Sequence, residues 1–277
     1  MLQAVQGVEL VRQRGMIEPS ADITIRTCHL SKSFGGIQAL DDLSLEIPKG
    51  AVYGLIGPNG SGKTTLFNVL TGIYAPSNGR IEFDGRDLTS LGPPAIYRSG
   101  IARTFQRSRL NLALSVFDNV VLGHVAARSA GLIQGVLKIG VGKRDIPDAV
   151  NKVRSLLAVF DDGLPERLWE RVDLLPMIDR RRIEICRALV GDPKVLLLDE
   201  PSAGMTHDET DRLMDDILSY KRHHPELTVV VIEHEMAVIE KITSICAVLN
   251  FGKLLAEGSY REVAAHPLVQ EAYLGAT

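Results

Sequence analysis

Gly57-Pro58-Asn59-Gly60-Ser61-Gly62-Lys63-Thr64 fits G-x-x-x-x-G-K-[ST], the loop that wraps nucleotide phosphates. Its flanks fit too. Ala51-Val52-Tyr53-Gly54-Leu55-Ile56 reads as a short buried strand, and Thr65 to Leu70 as a helix that fades at Gly72. Glycines let successive backbone N–H groups turn toward one anion, and the following helix adds the positive end of its dipole. Lys63 brings a mobile charge to the β- and γ-phosphates, and the Thr64 hydroxyl suits Mg²⁺. A glycine-rich turn that matches by chance would lack this strand–loop–helix setting. The stretch predicts a nucleoside triphosphate site.

Upstream, Ile23 to Cys28 and Leu43 to Ile47 alternate like half-exposed strands, with Gly35-Gly36 turning the chain between them. Downstream, Arg80-Ile81-Glu82-Phe83 runs into Asp84-Gly85, a strand with a hairpin turn. A small antiparallel sheet therefore brackets the loop in sequence. From about Leu88 to Leu175 strand signals stop. Pro93 to Ser99, Val116 to Ala127, Ile146 to Val159 and Leu164 to Arg171 read as helices, and Gly131 to Gly142 has no firm assignment. A helix over Arg180 to Val190 then closes at Gly191-Asp192-Pro193.

Val195-Leu196-Leu197-Leu198-Asp199 is a continuous apolar strand, the pattern of a parallel sheet buried on both faces. Helix Asp208 to Arg222, strand Thr228 to Ile232, helix Glu235 to Thr243 and strand Cys246 to Asn250 follow. Strands alternating with helices imply crossovers in a parallel sheet. The fold class is α/β, with an antiparallel edge and a helical insertion.

Composition narrows the function. The chain has 277 residues, is 45% hydrophobic and 23% charged, and carries a formal net charge of −3. That balance gives no bulk attraction to nucleic acid or anionic lipid. Cys28, Cys186 and Cys246 are odd in number and lack metal-type spacing, which reads as buried thiols in a reducing compartment. No run approaches the roughly 18–20 consecutive apolar residues of a membrane span. Residues 1–22 lack the apolar core of a secretory signal and read as a frayed or disordered leader, with a short amphipathic helix as the other reading.

The apolar strand ends in Asp199-Glu200. Asp199 suits Mg²⁺ held through its water shell, and Glu200 suits orienting an attacking water and accepting its proton. Ile232-Glu233-His234 closes the next strand in the same way. Parallel strands put their carboxyl ends on one edge, so His234 is expected near the γ-phosphate. Alone, Asp199-Glu200 would read as a strand-end turn and His234 as structural; beside Lys63 the functional reading is favoured.

Taken in order, the loop at Gly57, Arg103-Thr104-Phe105-Gln106, Arg182-Ile183-Glu184-Ile185-Cys186-Arg187-Ala188-Leu189, Leu198-Asp199-Glu200-Pro201-Ser202-Ala203-Gly204-Met205 and Glu233-His234 resemble the nucleotide-binding subunits of ABC transporters. The resemblance runs from about Ile23 to the end. More narrowly, Gly100-Ile101-Ala102-Arg103-Thr104-Phe105-Gln106, the insertion after Gly123 and the ending Ala272-Tyr273-Leu274-Gly275 look like the subfamily serving importers of branched-chain and other hydrophobic amino acids.

The resemblance implies a RecA-like P-loop ATPase core within one domain at 23–277, with its helical insertion at about 88–190. It implies ATP and Mg²⁺ as ligands, contacts from Gly57 through Lys63, Thr64 and Thr65, and metal contacts from Thr64, Gln106 and Asp199. Glu200, His234 and Lys63 would carry catalysis. Phe34 would stack on adenine, and the loop after Gln106 would touch the membrane subunit. A core phenylalanine and an exposed loop amide are the plainer readings of Phe34 and Gln106. Implied partners are a second ABC ATPase subunit, a pair of membrane-spanning permease subunits and a periplasmic or extracellular solute-binding protein. The implied place is peripheral, on the cytoplasmic face of the inner membrane.

One segment departs from the family. Its L-S-G-G-Q loop, which crosses a dimer interface to the partner's γ-phosphate, falls on Leu175-Pro176-Met177-Ile178-Asp179-Arg180. Pro176 offers neither hydroxyl nor N–H, and Ile178 puts a branched side chain where backbone must approach. Arg180 reads either as a substitute charge or, with Arg181 and Arg182, as a solvated helix face. Thr206 stands where an aspartate is usual and can still cap the next helix. The expectation is a heterodimer that powers solute import. Energising a lipid or lipopolysaccharide exporter, or soluble work on ribosomes or DNA, are the alternatives.

Overall fold

In the computed structural model, which describes residues 22–128 and 145–274, the strand entering the loop at Gly57 lies inside a six-stranded sheet. That sheet comprises β3 (Val52–Ile56), β6 (Ile101–Arg103), β7 (Val195–Asp199), β8 (Thr228–Ile232), β9 (Ile245–Asn250) and β10 (Lys253–Gly258). Its order is β10-β9-β3-β8-β7-β6. All neighbours are parallel except β10, which returns antiparallel along β9. Every residue of β3, β7 and β8 is buried, which explains their unbroken apolar sequences.

Alternation along these strands feeds two cores. Tyr53, Leu55, Val195 and Leu197 face one side, packing with Leu66, Phe67 and Leu70 of helix α1 (Lys63–Leu70). Val52, Ile56, Leu196 and Leu198 face the other side. There they meet α5 (Met177–Leu189), α6 (His207–His223) and α7 (Met236–Ile242). Against the first side lies a four-stranded antiparallel sheet of β1 (Ile23–Phe34), β2 (Ile37–Pro48), β4 (Asn78–Phe83) and β5 (Arg86–Asp87), in the order β2-β1-β4-β5. Ile25, Leu43, Leu45, Ile47, Ile81 and Phe83 supply its apolar face.

The inserted segment carries α2 (Pro93–Ser99), α3 (Val116–Arg128), α4 (Asp145–Phe160) and short 3₁₀ turns at Leu164–Arg167 and Val172–Leu174. Short helices α8 (Tyr260–Ala265) and α9 (Pro267–Leu274) close the described chain. Residues 1–21 and the glycine-rich Gly131 to Gly142 lie outside the described residues.

Several sequence expectations need correction. Strand β6 falls inside the stretch read as free of strands; three residues at a sheet edge give no usable periodicity. Strand β10 also escaped, because its half-buried residues follow the turn at Phe251-Gly252 without alternation. The helix expected over Leu164 to Arg171 is only a 3₁₀ turn over Leu164–Arg167, with Pro165 at a first-turn position that tolerates it. Helix α5 begins at Met177, three residues before the expected Arg180, since Pro176 is an N-cap and does not extend it. Thr206 does cap α6: its hydroxyl accepts from the Glu209 N–H at 3.3 Å, while the Glu209 carboxylate accepts from the Thr206 N–H at 2.9 Å.

The insertion is tied to the sheet layer at one tight point. A Cβ at Gly123 of α3 would sit 2.0 Å from the carbonyl oxygen of Arg187 on α5, so the two helix backbones touch there. Tyr97 of α2 donates to the Gly123 carbonyl at 3.0 Å. Gly123→Ala is expected to force the helices apart and cost about 1–3 kcal/mol of stability, read as a lowered Tm in thermal melting.

Candidate functional site

β3 delivers Gly57 at φ 144°. Any Cβ there would collide with the Leu249 carbonyl oxygen of β9 at 2.1 Å, so glycine is required by space as well as by backbone angle. The loop then wraps to α1, which starts without a capping side chain. Its first-turn N–H groups therefore remain available to an anion at the positive end of the helix. Lys63 opens the helix and folds back over the loop, donating to the carbonyls of Gly57 at 2.7 Å and Pro58 at 3.0 Å and to Ser61 Oγ at 3.4 Å. It is 6% exposed. Burial lowers its pKa, while Glu200 and Asp199 pull it back up. Pro58 is half-buried; Asn59, Gly60 and Thr64 are exposed at the mouth of the loop, with Thr65 half-buried behind them.

Strands β7 and β8 end beside this loop. Asp199, the last residue of β7, is 2% exposed. Its Oδ2 accepts from Arg103 Nη2 at 2.6 Å, whereas Oδ1 is buried without a hydrogen-bond partner among the described residues. An orphaned buried carboxylate oxygen is costly unless a donor or cation completes it. Thr64 follows Lys63, whose charge Asp199 and Glu200 both influence, and its hydroxyl would complete the all-oxygen kind of donor set that Mg²⁺ takes.

Glu200 follows at φ 50°, a left-handed conformation that non-glycine residues rarely hold and that concentrates at functional positions. Its carboxylate is gripped from both sides. Gln106 Nε2 donates to Oε2 at 2.7 Å, and His234 Nε2 pairs with Oε1 at 2.8 Å. Adjacency of β6, β7 and β8 makes this grouping possible, because their carboxyl ends carry Gln106, Glu200 and His234 respectively.

Phe34 is 40% exposed at the end of β1 and is not a core residue. Tyr74 meets it edge-on at 5.1 Å, and Lys32 Nζ stands 4.9 Å from its ring centre. The ring is held in place and still presents surface to a flat ligand.

Some residues of the site gave no distinct signal. Glu233 is 3% exposed; burial raises its pKa, while N–H groups from Ser202 at 2.9 Å and His234 at 3.3 Å partly compensate. It braces the turns carrying Glu200 and His234. Arg103 is the other, and only a fold-wide contact reveals it.

The segment around Pro176 differs from both readings of its arginines. Arg180 turns back and donates to the carbonyls of Leu175 at 2.9 Å and Asp173 at 2.8 Å, pinning its own loop. Arg181 is buried, donating to Glu184 and to the carbonyls of Gln106 and Ala203. Arg182 is buried among Asp161, Asp179 and Asp216. A solvated face is thus excluded for Arg181 and Arg182. Leu174 and Met177 stand exposed beside them.

A groove of about 290 Å³ opens next to the loop that carries Gln106. Ile73, Pro93, Tyr97, Phe105, Leu122 and Arg187 are among its walls.

Of the cysteines, Cys186 and Cys246 are buried and Cys28 is partly so; all are free.

Residues 40–203 match the family model described as ABC transporter, and residues 253–277 match one described as branched-chain amino acid ATP-binding cassette transporter. The chain is similar to "High-affinity branched-chain amino acid transport ATP-binding protein LivG" of Salmonella typhimurium, at 38% identity over 89% of this chain and 95% of that protein. It is similar at 34% identity to the protein of the same description named BraF from Pseudomonas aeruginosa, again over 89% and 95% of the respective chains. Among solved structures it is similar to an ATP-binding cassette of an ABC transporter in its ADP conformation, with TM-score 0.79, 29% identity, and coverage of 91% of this chain and 99% of that one.

Proposed function

The chain belongs to the ABC transporter family, and from that premise we propose that it binds and hydrolyses ATP to power uptake of branched-chain or other hydrophobic amino acids through partner membrane subunits. The observation that carries the catalytic part is the Glu200 carboxylate held between Gln106 and His234 at the strand edge beside the phosphate loop. Lys63 and the backbone N–H groups of the loop residues from Gly57 to Thr65, Pro58 having none, bind the phosphates; Lys63 leaves its carbonyl partners to do so. Glu200 orients the attacking water and takes its proton, while His234 fixes the carboxylate and donates toward the γ-phosphate. Thr64, Asp199 and Gln106 are the residues that would hold Mg²⁺, which would supply positive charge to the bound phosphates. Phe34 stacks on the adenine.

Among the described residues no helix is long and apolar enough to cross a membrane. We place the subunit at the cytoplasmic face of the inner membrane, held by the permease subunits, with a solute-binding protein supplying cargo from the other side. The groove at Phe105 and Leu122 is the seat for the membrane subunit: it is apolar, concave and adjacent to Gln106. Neither the exporter nor the soluble reading has an observation in its favour. Reconstitution with the permease subunits and binding protein tests the assignment. ATP-dependent uptake of labelled leucine is expected, and ATPase activity that stays indifferent to permease and amino acid would overturn it.

We further propose that the working dimer is heteromeric. At Pro176 a hydroxyl and an N–H are missing, and Arg180 is engaged by the carbonyls of its own loop; Ile178, expected to block close approach, is instead buried in its own chain. The loop therefore offers little to a γ-phosphate on another chain. A homodimer would lack those donors at both sites, and donors of this kind are worth about 10²–10³ in rate. The purified chain alone should be a slow ATPase, and addition of the second ATPase subunit of its transporter should restore fast turnover. Fast turnover by the chain alone defeats the heterodimer reading.

A further inference from the structure

We propose that Arg103 is a positioning residue for the metal: it fixes the spacing between Asp199 and the helix turn that carries Thr64. The inference rests on reading Asp199 and Thr64 as magnesium ligands.

The geometry is that of a clamp between elements. Arg103 ends β6, and its guanidinium crosses to two neighbours. Nη2 donates to Asp199 Oδ2 at 2.6 Å, and Nη1 donates to Asn68 Oδ1 at 2.8 Å, with Thr71 Oγ1 at 3.4 Å. Asn68 lies four residues after Thr64 on α1, which puts both on one helix face. One rigid fork therefore ties the tip of β7 to the face of α1 that bears the other metal donor. The rings of Phe67 and Phe105 lie against the guanidinium, with centres at 5.3 and 5.0 Å. Arg103 and Asp199 side chains are 4% and 2% exposed, so water does not loosen the pair.

Occupation of Oδ2 also decides which oxygen is free. Oδ1 is left buried and without a partner, so the carboxylate is turned to one acceptor position. Groups that orient metal ligands in this way are worth about 10–100-fold in metal affinity. Lysine in place of Arg103 keeps the charge but loses the fork, so it can satisfy Asp199 or Asn68 and not both.

The test uses the full chain and a fluorescent ATP analogue, titrated with Mg²⁺ and measured separately in EDTA. Arg103→Lys is expected to leave affinity in EDTA near the parent's, because the phosphate loop is untouched, while half-saturating Mg²⁺ rises about tenfold or more. Asn68→Ala should shift it in the same direction by less, and serves as the deciding variant if Arg103→Lys gives no cooperative melting transition. Asp199→Asn is the control. If Asp199→Asn raises the Mg²⁺ requirement while Arg103→Lys and Asn68→Ala keep the parental value, the positioning role is overturned and Asp199 stands as a ligand. If Asp199→Asn itself leaves the requirement unchanged, the ligand reading falls and takes the inference with it. A lower Tm with weaker EDTA-state binding but an unaltered Mg²⁺ requirement marks Arg103 as purely structural, and also overturns the proposal.

Discussion

Glu200→Gln is expected to cut ATP hydrolysis by the assembled transporter about 10²- to 10⁴-fold while leaving ATP binding intact, since general-base catalysis contributes on that scale. The substitution removes the proton acceptor and almost nothing else. A glutamine amide can turn its oxygen toward the Gln106 Nε2 at 2.7 Å, and its NH₂ then faces His234, which accepts it only by moving its ring proton to the other nitrogen. The left-handed backbone at this position is a property of the turn and is retained. Phosphate release and nucleotide binding should therefore separate cleanly. The heteromeric model makes the result sharper. In the proposed heteromer the nucleotide on this chain's loop would face a partner's intact signature and occupy the faster site, so one substitution should silence most turnover. A rate within a few-fold of the parent would remove Glu200 from the chemistry.

Lys63→Ala is expected to abolish both binding and hydrolysis at ordinary nucleotide concentrations. Truncating one partner of a buried, hydrogen-bonded charge pair costs about 2–5 kcal/mol, or roughly thirtyfold to several-thousandfold in affinity. Two separate effects are expected here, one on the bound state and one on the empty loop. Bound phosphate loses its cation, and the carbonyls of Gly57 and Pro58 lose the donor that closes the empty loop. Equilibrium binding of labelled ATP checks the first effect, and the Tm of the nucleotide-free chain checks the second. Retained affinity would mean that the loop N–H groups alone hold the triphosphate.

How much of this was legible beforehand depended on whether the signal was local. The phosphate loop announces itself because its fixed positions are contiguous and each has a backbone reason, as Gly57 shows against β9. The acidic tip of β7 and the His234 turn were readable for the same cause, since an apolar run that stops at charge marks a strand end. Their gathering around Gln106 was expected only through family resemblance. It depends on strand order, and β6, which sets that order at the edge, is too short to read. Arg103 was quoted only as part of a motif; its partner is 96 residues away, and no spacing rule reaches so far. The arginines of α5 show the opposite failure. A run of three basic residues reads as a wet surface, yet Arg181 and Arg182 are buried because acidic partners from Asp161 to Asp216 surround them.

Helix α5 joins two places that have so far been treated separately. Its first residues belong to the segment that, in the proposed dimer, would face another subunit's nucleotide, and Arg187 and Ala188 near its end line the groove beside Phe105. At 1.5 Å per residue, its first residue and the groove residues are roughly 16 Å apart along the axis. The backbone contact with Gly123 leaves it no slack against α3. In the proposed dimer a displacement applied in the groove would act on α5 at the end far from the Pro176 segment. An occupant of the groove on one chain would then be felt first at the nucleotide of the other.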